Sequence, residues 1–365
     1  MATFKRNHFG SSRHTFHVAP RVWGLKTIFV NLYFVANPNG SWVLVDTGVK
    51  GFAQQIKDAA DEIFGENSRP EAILLTHGHF DHVGTVKELA EQWDVPVYAH
   101  PMEFPYLTGL SSYPPPDSSV GGGAMAYMSF VYPKKPINIK NRLELLPPDG
   151  SVPALEGWHW IYTPGHSPGH VSFYREEDKV LLAGDAFVTR DGESAIAVVT
   201  EKREVHGPPA YFTSDWGAAH RSVDTLCNLS PEVAATGHGM PMRGRELRWQ
   251  LEDLVKEFWI RAVPEHGRYV HEPAVTDERG IISLPPAVNI SPPKILAVAG
   301  AVAVAGLVWA TINKKNNKAR QSDYVQQQQH PSKNRPYSHN RVITGFPPTV
   351  DPEHDDPDAH TNNYP

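Results

Sequence analysis

The residues best suited to chemistry crowd into Thr76-His77-Gly78-His79-Phe80-Asp81-His82-Val83-Gly84, where four potential metal ligands fall within six positions. The stretch lies between EAILLT, a short apolar run that reads as a strand, and VGTVKELAEQW, which reads as a helix leaving the turn. Two histidines one residue apart after a strand end, His77 and His79, can reach a single ion from one tight turn. Asp81 and His82 are then directed to a neighbouring position, so the spacing builds two sites side by side. Neutral imidazole and carboxylate are ligands that zinc accepts without any thiolate. The chain has one cysteine, Cys227, which excludes an intramolecular disulfide and a cysteine-rich zinc site.

The rest of the composition narrows the class of partner. With 365 residues, 40% hydrophobic and 20% charged, the chain has ordinary globular usage and enough length for one large domain with appendages. A net charge of -6 provides no basic field to neutralise phosphates, so a small-molecule substrate is expected and a nucleic acid is not. The N-terminal residues lack the apolar stretch of a secretory signal, and cytoplasmic residence is the expectation.

The elements that must position the cluster follow from hydrophobic pattern. KTIFVNLYFV and SWVLVDTG are apolar runs joined by the turn-rich ANPNG, a β-hairpin whose second run ends at Asp46. From Gly51 to Phe64 the apolar spacing predicts an amphipathic helix, and VPVYAH supplies the strand after the His-rich turn and its helix. Residues 105–150, rich in proline and glycine, read as a long insertion, either a lid or a plain surface loop. WHWIYT, VSFYRE and KVLLAGD predict three strands, two of them ending in candidate ligands. Helical patterns over Ala210–Cys227 and Glu246–Ala262 flank the short strand EVAATGHG.

His-x-His-x-Asp-His, with Asp46 upstream in LVDTG, resembles the metallo-β-lactamase superfamily, and later motifs follow in that family's order. TPGHSPGH contains His166, LLAGDAF contains Asp185 and TGHGMP contains His238, so the resemblance covers about residues 25–245. It implies a four-layer αβ/βα sandwich over residues 20–285. It also implies two ions, zinc by preference with iron or manganese as alternatives. His77, His79 and His166 would hold the first, Asp81, His82 and His238 the second, and Asp185 would bridge them. Asp46 resembles the carboxylate that hydrogen-bonds a ligand. Thr76 reads as a turn residue, His170 as a core histidine with a satisfied hydrogen bond, and His100 as structural. His206, His220 and His266 have no ligand spacing.

Two cations a few ångströms apart would acidify a shared water, and the resulting hydroxide would attack a carbonyl. Asp81 would orient that water and pass its proton to the leaving group. The expected reaction is hydrolysis of a carboxylic ester, lactone or thioester. An aspartate at position 185 favours the fully binuclear members, whereas no basic cluster for a glutathione carboxylate follows GHGMP. The alternatives are an iron-dependent persulfide-oxidising enzyme of the same fold, and a phosphodiesterase or nuclease.

Past Gly280 the character changes. Ile295–Ile312 is 18 residues without a charge, at the lower limit for crossing a bilayer. It reads as a membrane anchor over 294–312 or as a buried helix, with membrane association the favoured reading. Lys314, Lys315, Lys318 and Arg320 follow it, an arrangement that conflicts with a cytoplasmic catalytic domain ahead of a single span. Residues 313–365 are too polar to fold alone, and 1–19 are expected to be flexible.

Overall fold

The computed structural model describes residues 15–121, 123–133, 135–190 and 203–288. The chain divides into residues 1–303 and 304–365, and every described residue lies in the first unit.

Two sheets form the centre. The first contains β1 (Thr15–Ala19), β2 (Val22–Thr27), β3 (Val30–Ala36), β4 (Trp42–Val45), β5 (Ala72–Leu74), β6 (Val97–Ala99) and β7 (Leu143–Leu145), in that spatial order. Pairing is antiparallel from β1 to β4 and parallel from β4 to β7. The second contains β8 (Trp158–Tyr162), β9 (Val171–Arg175), β10 (Val180–Gly184), β11 (Val233–Thr236) and β12 (Met242–Arg243), in the order β12-β11-β10-β9-β8. A separate ribbon pairs β13 (Val275–Asp277) with β14 (Gly280–Ser283).

The layering follows from the alternation of side chains along strands that are buried on both faces. Leu32, Phe34, Trp42, Leu44 and Ile73 point to one side, where they meet Ile56 and Ala60 of α1 (Ala53–Phe64) and Leu89 of α2 (Val86–Trp93). Their neighbours Tyr33, Val35, Val43, Val45 and Leu74 point the other way and pack on Phe173, Val180 and Leu182 of the second sheet. Leu181, Ala183 and Ala234 face outward again, against Val223 of one long helix (Trp216–Asn228) and Leu251 of another (Gly244–Lys256). The result is helix, sheet, sheet, helix. Each fully buried Leu, Phe or Ile contributes roughly 1.5–3 kcal/mol, so these three apolar clusters dominate the stability of the fold.

Several expectations need adjustment. Strands β1 and β2 begin ahead of the first expected strand, and β1 falls within the segment 1–19 expected to be flexible. The helix expected from Ala210 starts at Trp216, because the Asp215 side chain caps it by accepting the Ala218 N–H at 2.8 Å. The helix expected over Glu246–Ala262 breaks at Glu257 into Gly244–Lys256 and Phe258–Arg261. The 105–150 insertion contains short helices at Phe104–Leu107 and Ala124–Met128 and ends by supplying β7 to the first sheet. The expectation of a transmembrane helix is withdrawn: among the described residues no helix is long and apolar enough to cross a membrane. Ile295–Ile312 and the tail 313–365 lie outside the described residues.

Candidate metal centre

All seven candidate ligands lie at one edge of the sandwich, on turns that leave or join strand ends. His77, His79, Asp81 and His82 fill the turn between β5 and α2, and His166 lies between β8 and β9. Asp185 directly follows β10, and His238 comes two residues after β11. Backbone bonds join the two sheets there: the Val171 N–H donates to the Thr76 carbonyl at 2.9 Å, and Asn31 N–H to Gly237 at 2.8 Å. Glycine is required at 237, since a Cβ there would overlap the Asp185 carboxylate and the His82 ring.

Three overlapping groups could hold a cation: His77, His79 and His166; His77, His82 and Asp185; and Asp81, His82 and His238. Within each group the ligand atoms lie within 4.8 Å of one another. Asp185 Oδ2 is 3.4 Å from His166 Nε2, 3.5 Å from His82 Nε2 and 3.2 Å from His238 Nε2, so one carboxylate reaches both ends of the cluster. His238 Nε2 is 3.6 Å from Asp81 Oδ2, and His79 Nδ1 is 3.0 Å from His166 Nε2.

Hydrogen bonds behind the rings determine which nitrogen faces inward. His82 Nδ1–H donates to Asp46 Oδ2 at 2.8 Å, and His238 Nδ1–H to the Phe29 carbonyl at 2.9 Å. The Thr76 hydroxyl donates to Asp46 Oδ2 at 2.8 Å and lies 3.0 Å from His77 Nδ1. In each case the Nε2 lone pair is left for the interior. His77 Nε2, His82 Nε2 and Asp185 Oδ1 are buried without a hydrogen-bond partner, an arrangement costly for polar atoms unless a cation satisfies them. The donor set therefore fits divalent metal ions.

Without a cation in place, the electrostatics divide the histidines into two sets. Burial holds His77 and His79 well below the usual histidine range, with neighbouring imidazoles adding to the effect, so both are neutral donors. Burial opposes protonation of His82 and His238 too, but the Asp185 carboxylate beside each lifts them above that range. Asp185 is held well below the carboxylate range: burial would raise it, and His238 and His82 outweigh that cost.

The other histidines have structural surroundings. His170 is buried, and its Nε2 accepts the Asp185 N–H at 2.9 Å, so Nδ1 carries the proton and donates to Thr163 Oγ1 at 2.9 Å. It is a core histidine whose hydrogen bonds hold the Asp185 turn. His100 stacks on Tyr162 at 4.4 Å and caps a short turn, and burial lowers it to about 4. His220 donates to the Val255 carbonyl at 3.2 Å.

Sequence reasoning missed Glu103. Its carboxylate is fully buried, with Oε2 accepting from Gly78 N–H at 2.9 Å and from the Tyr113 hydroxyl. Oε1 accepts from Ser167 Oγ at 2.9 Å and Gly169 N–H at 2.7 Å. One side chain thus ties the His77–His79 turn to the turn that carries His166. No local signal reveals it, because its partners come from three separate segments.

The model of the Metallo-beta-lactamase superfamily matches residues 25–238, and the chain belongs to that superfamily. A probable metallo-hydrolase of Bacillus subtilis (strain 168) is 46% identical over 241 residues, which are 66% of this chain and 91% of the relative. The hydroxyacylglutathione hydrolase GloC of Haemophilus influenzae is 26% identical over 144 residues, covering 39% of this chain and 59% of that protein. Among solved structures, BLEG-1 B3 metallo-beta-lactamase aligns with a TM-score of 0.47 at 26% identity, over 64% of this chain and 96% of its own. The chain is a metallo-hydrolase of this superfamily.

Proposed function

We propose that the chain hydrolyses the acyl bond of a small carboxylic ester, lactone or thioester. The observation that carries the reading is the pair of ligand groups reached by one carboxylate, Asp185, next to an apolar cavity that His79 helps to line. In this reading His77, His79 and His166 would hold one ion, Asp81, His82 and His238 would hold the other, and Asp185, which lies within 3.5 Å of His82, His166 and His238, would serve both. Zinc is the preferred metal, and iron or manganese would suit the same nitrogen and oxygen donors. Bound there, such ions supply Lewis acidity toward a carbonyl oxygen and acidify water. The likeness to a hydroxyacylglutathione hydrolase supports an acyl bond.

The chain's own groups supply orientation and proton handling. Asp46 holds the His82 ring through Nδ1, and His170 holds the backbone of Asp185. In the same reading Asp81 is the acid–base group, taking a proton from the attacking water and returning it to the departing heteroatom.

The test pairs elemental analysis of protein purified without added metal with turnover of thioesters, lactones, β-lactams and phosphodiesters. About two metal ions per chain with acyl hydrolysis is the expected result. Phosphodiester cleavage alone, or one iron with oxygen uptake on a persulfide, would overturn the reading.

Two further outcomes follow. Chelation lowers the thermal midpoint, because ions that bind only the folded state stabilise it by about 2.7 kcal/mol each at a hundredfold excess over Kd. Differential scanning calorimetry with and without chelator reads the loss of both ions as a shift on the order of 10–20 °C, reversed by added metal. Asp46→Asn removes the carboxylate that orders Thr76 and His82, and metal affinity falls by roughly 10–100-fold in competition with a chromophoric chelator. Unchanged affinity would mean that Asp46 serves only the turn.

A further inference from the structure

Beside the cluster lies a cavity of about 200 Å³ that the metal ligands alone do not explain. His79 and Gly78 belong to its lining, and the insertion contributes Tyr106, Tyr113, Ile137 and four prolines. Phe80 and Phe212 complete the lining, and Lys50 and Lys135 are the charged groups in it. A wider hollow of about 620 Å³ contains none of the candidate ligands and is lined mainly by charged and amide side chains such as Lys87, Glu91 and Arg142.

The smaller cavity is continuous with the metal centre through aromatic contacts. The Phe212 ring stacks on His79 with centroids 4.4 Å apart, and Tyr113 lies 4.6 Å from the same imidazole. Tyr106 stacks on Tyr113 at 3.9 Å. Backbone bonds close the insertion on itself here: the Ile137 N–H donates to the Tyr106 carbonyl at 3.1 Å, and Ile139 N–H to the Leu107 carbonyl at 3.0 Å. Gly78 permits the close approach, since a Cβ would strike the Tyr113 hydroxyl and Leu107. These walls are held by the turn that bears the ligands, so a group in the cavity is placed relative to the ions.

Size and lining select the occupant. An apolar cavity of about 150 Å³ holds a benzene molecule, whereas pockets for whole drug-sized ligands are roughly 300–1,000 Å³. A volume of about 200 Å³ therefore takes one ring and a short linker, and leaves a bulky carrier outside. Aromatic walls favour a flat ring through stacked and edge contacts beyond simple area burial. We propose that this cavity is the acyl subsite, and that the substrate is an aryl-bearing acyl thioester or ester of phenylacetyl size. This rests on the acyl-hydrolase reading above.

The test uses the full-length metal-loaded protein and N-acetylcysteamine thioesters of acetate, phenylacetate and dodecanoate, with released thiol followed by a colorimetric reagent. The phenylacetyl substrate is expected to exceed both others in kcat/KM by at least about tenfold, the least that filling an apolar pocket confers. Ile137→Trp, which fills the cavity, and Phe212→Ala, which removes a wall, should each pull the phenylacetyl-to-acetyl ratio toward one. Calorimetric binding of free phenylacetate against acetate provides a readout independent of turnover, with at least about tenfold tighter binding of phenylacetate that Ile137→Trp abolishes. Equal kcat/KM across the series with equal affinity for the two acids would overturn the subsite. No turnover of these thioesters, of the matching methyl esters or of a lactone, with phenylacetate still preferred in binding, would overturn the acyl-hydrolase reading and leave the aryl subsite standing.

Discussion

Asp81→Ala is expected to reduce turnover by roughly 10²–10⁴-fold, the range associated with loss of a positioned acid–base group. The variant should still fold. Asp81 lies on a turn at the sandwich edge, and none of the three apolar clusters includes it. Its removal also relieves a cost, since burial pushes its carboxyl above the usual range against the pull of His82 and His238. Both functions assigned to this residue would be lost together: a ligand of the second ion and the proton carrier. Asp81→Asn separates them, because an amide oxygen can still coordinate but cannot take up a proton. Metal content near that of the parent with kcat still depressed would assign the loss to proton transfer. Full turnover in either variant would remove Asp81 from the mechanism, and circular dichroism of each protein checks the fold.

How much of this was legible in the sequence depends on how local each signal is. The hairpin around ANPNG, the helix at Ala53–Phe64 and the strand before His77 announce themselves through apolar runs and turn residues within a dozen positions. The ligand turn was legible for the same reason, with four ligand types in six consecutive places. His166, Asp185 and His238 carry no such density and were singled out only through motifs shared with a family, yet the fold gathers them around one point. Strands β1 and β2 were missed because TFHVA and VWGLKT mix polar residues into short runs. Their inward residues Val18, Val22 and Leu25 become recognisable as core only once the neighbouring sheet is in place. The apolar segment near 300 shows the opposite failure, since composition alone suggested a role there that no described helix supports.

Glu103→Ala should have the largest effect on stability of any single change at this edge, on the order of 3–5 kcal/mol. Four donors, from Gly78, Tyr113, Ser167 and Gly169, converge on a side chain with no solvent exposure, and alanine strands them in a void. Because those donors belong to the His77–His79 turn and the His166 turn, loosening them also separates the histidines of one proposed ion site. Affinity for the ion assigned to His77, His79 and His166 should fall along with the thermal midpoint. The ionisation of Glu103 adds a signature that a generic packing defect would lack. Burial pushes its carboxyl up to about 7 despite the four hydrogen bonds. An acid whose folded value is raised favours the folded state most below its unfolded value, near 4.5. That contribution declines as pH rises through about 7, where the buried group must ionise. Denaturant titrations from pH 4.5 to 8 should therefore show the parent losing stability across this window relative to Glu103→Gln, which cannot ionise. Parallel curves for the two proteins would show that the folded Glu103 titrates no higher than in the unfolded chain, and the brace would then act through hydrogen bonding alone.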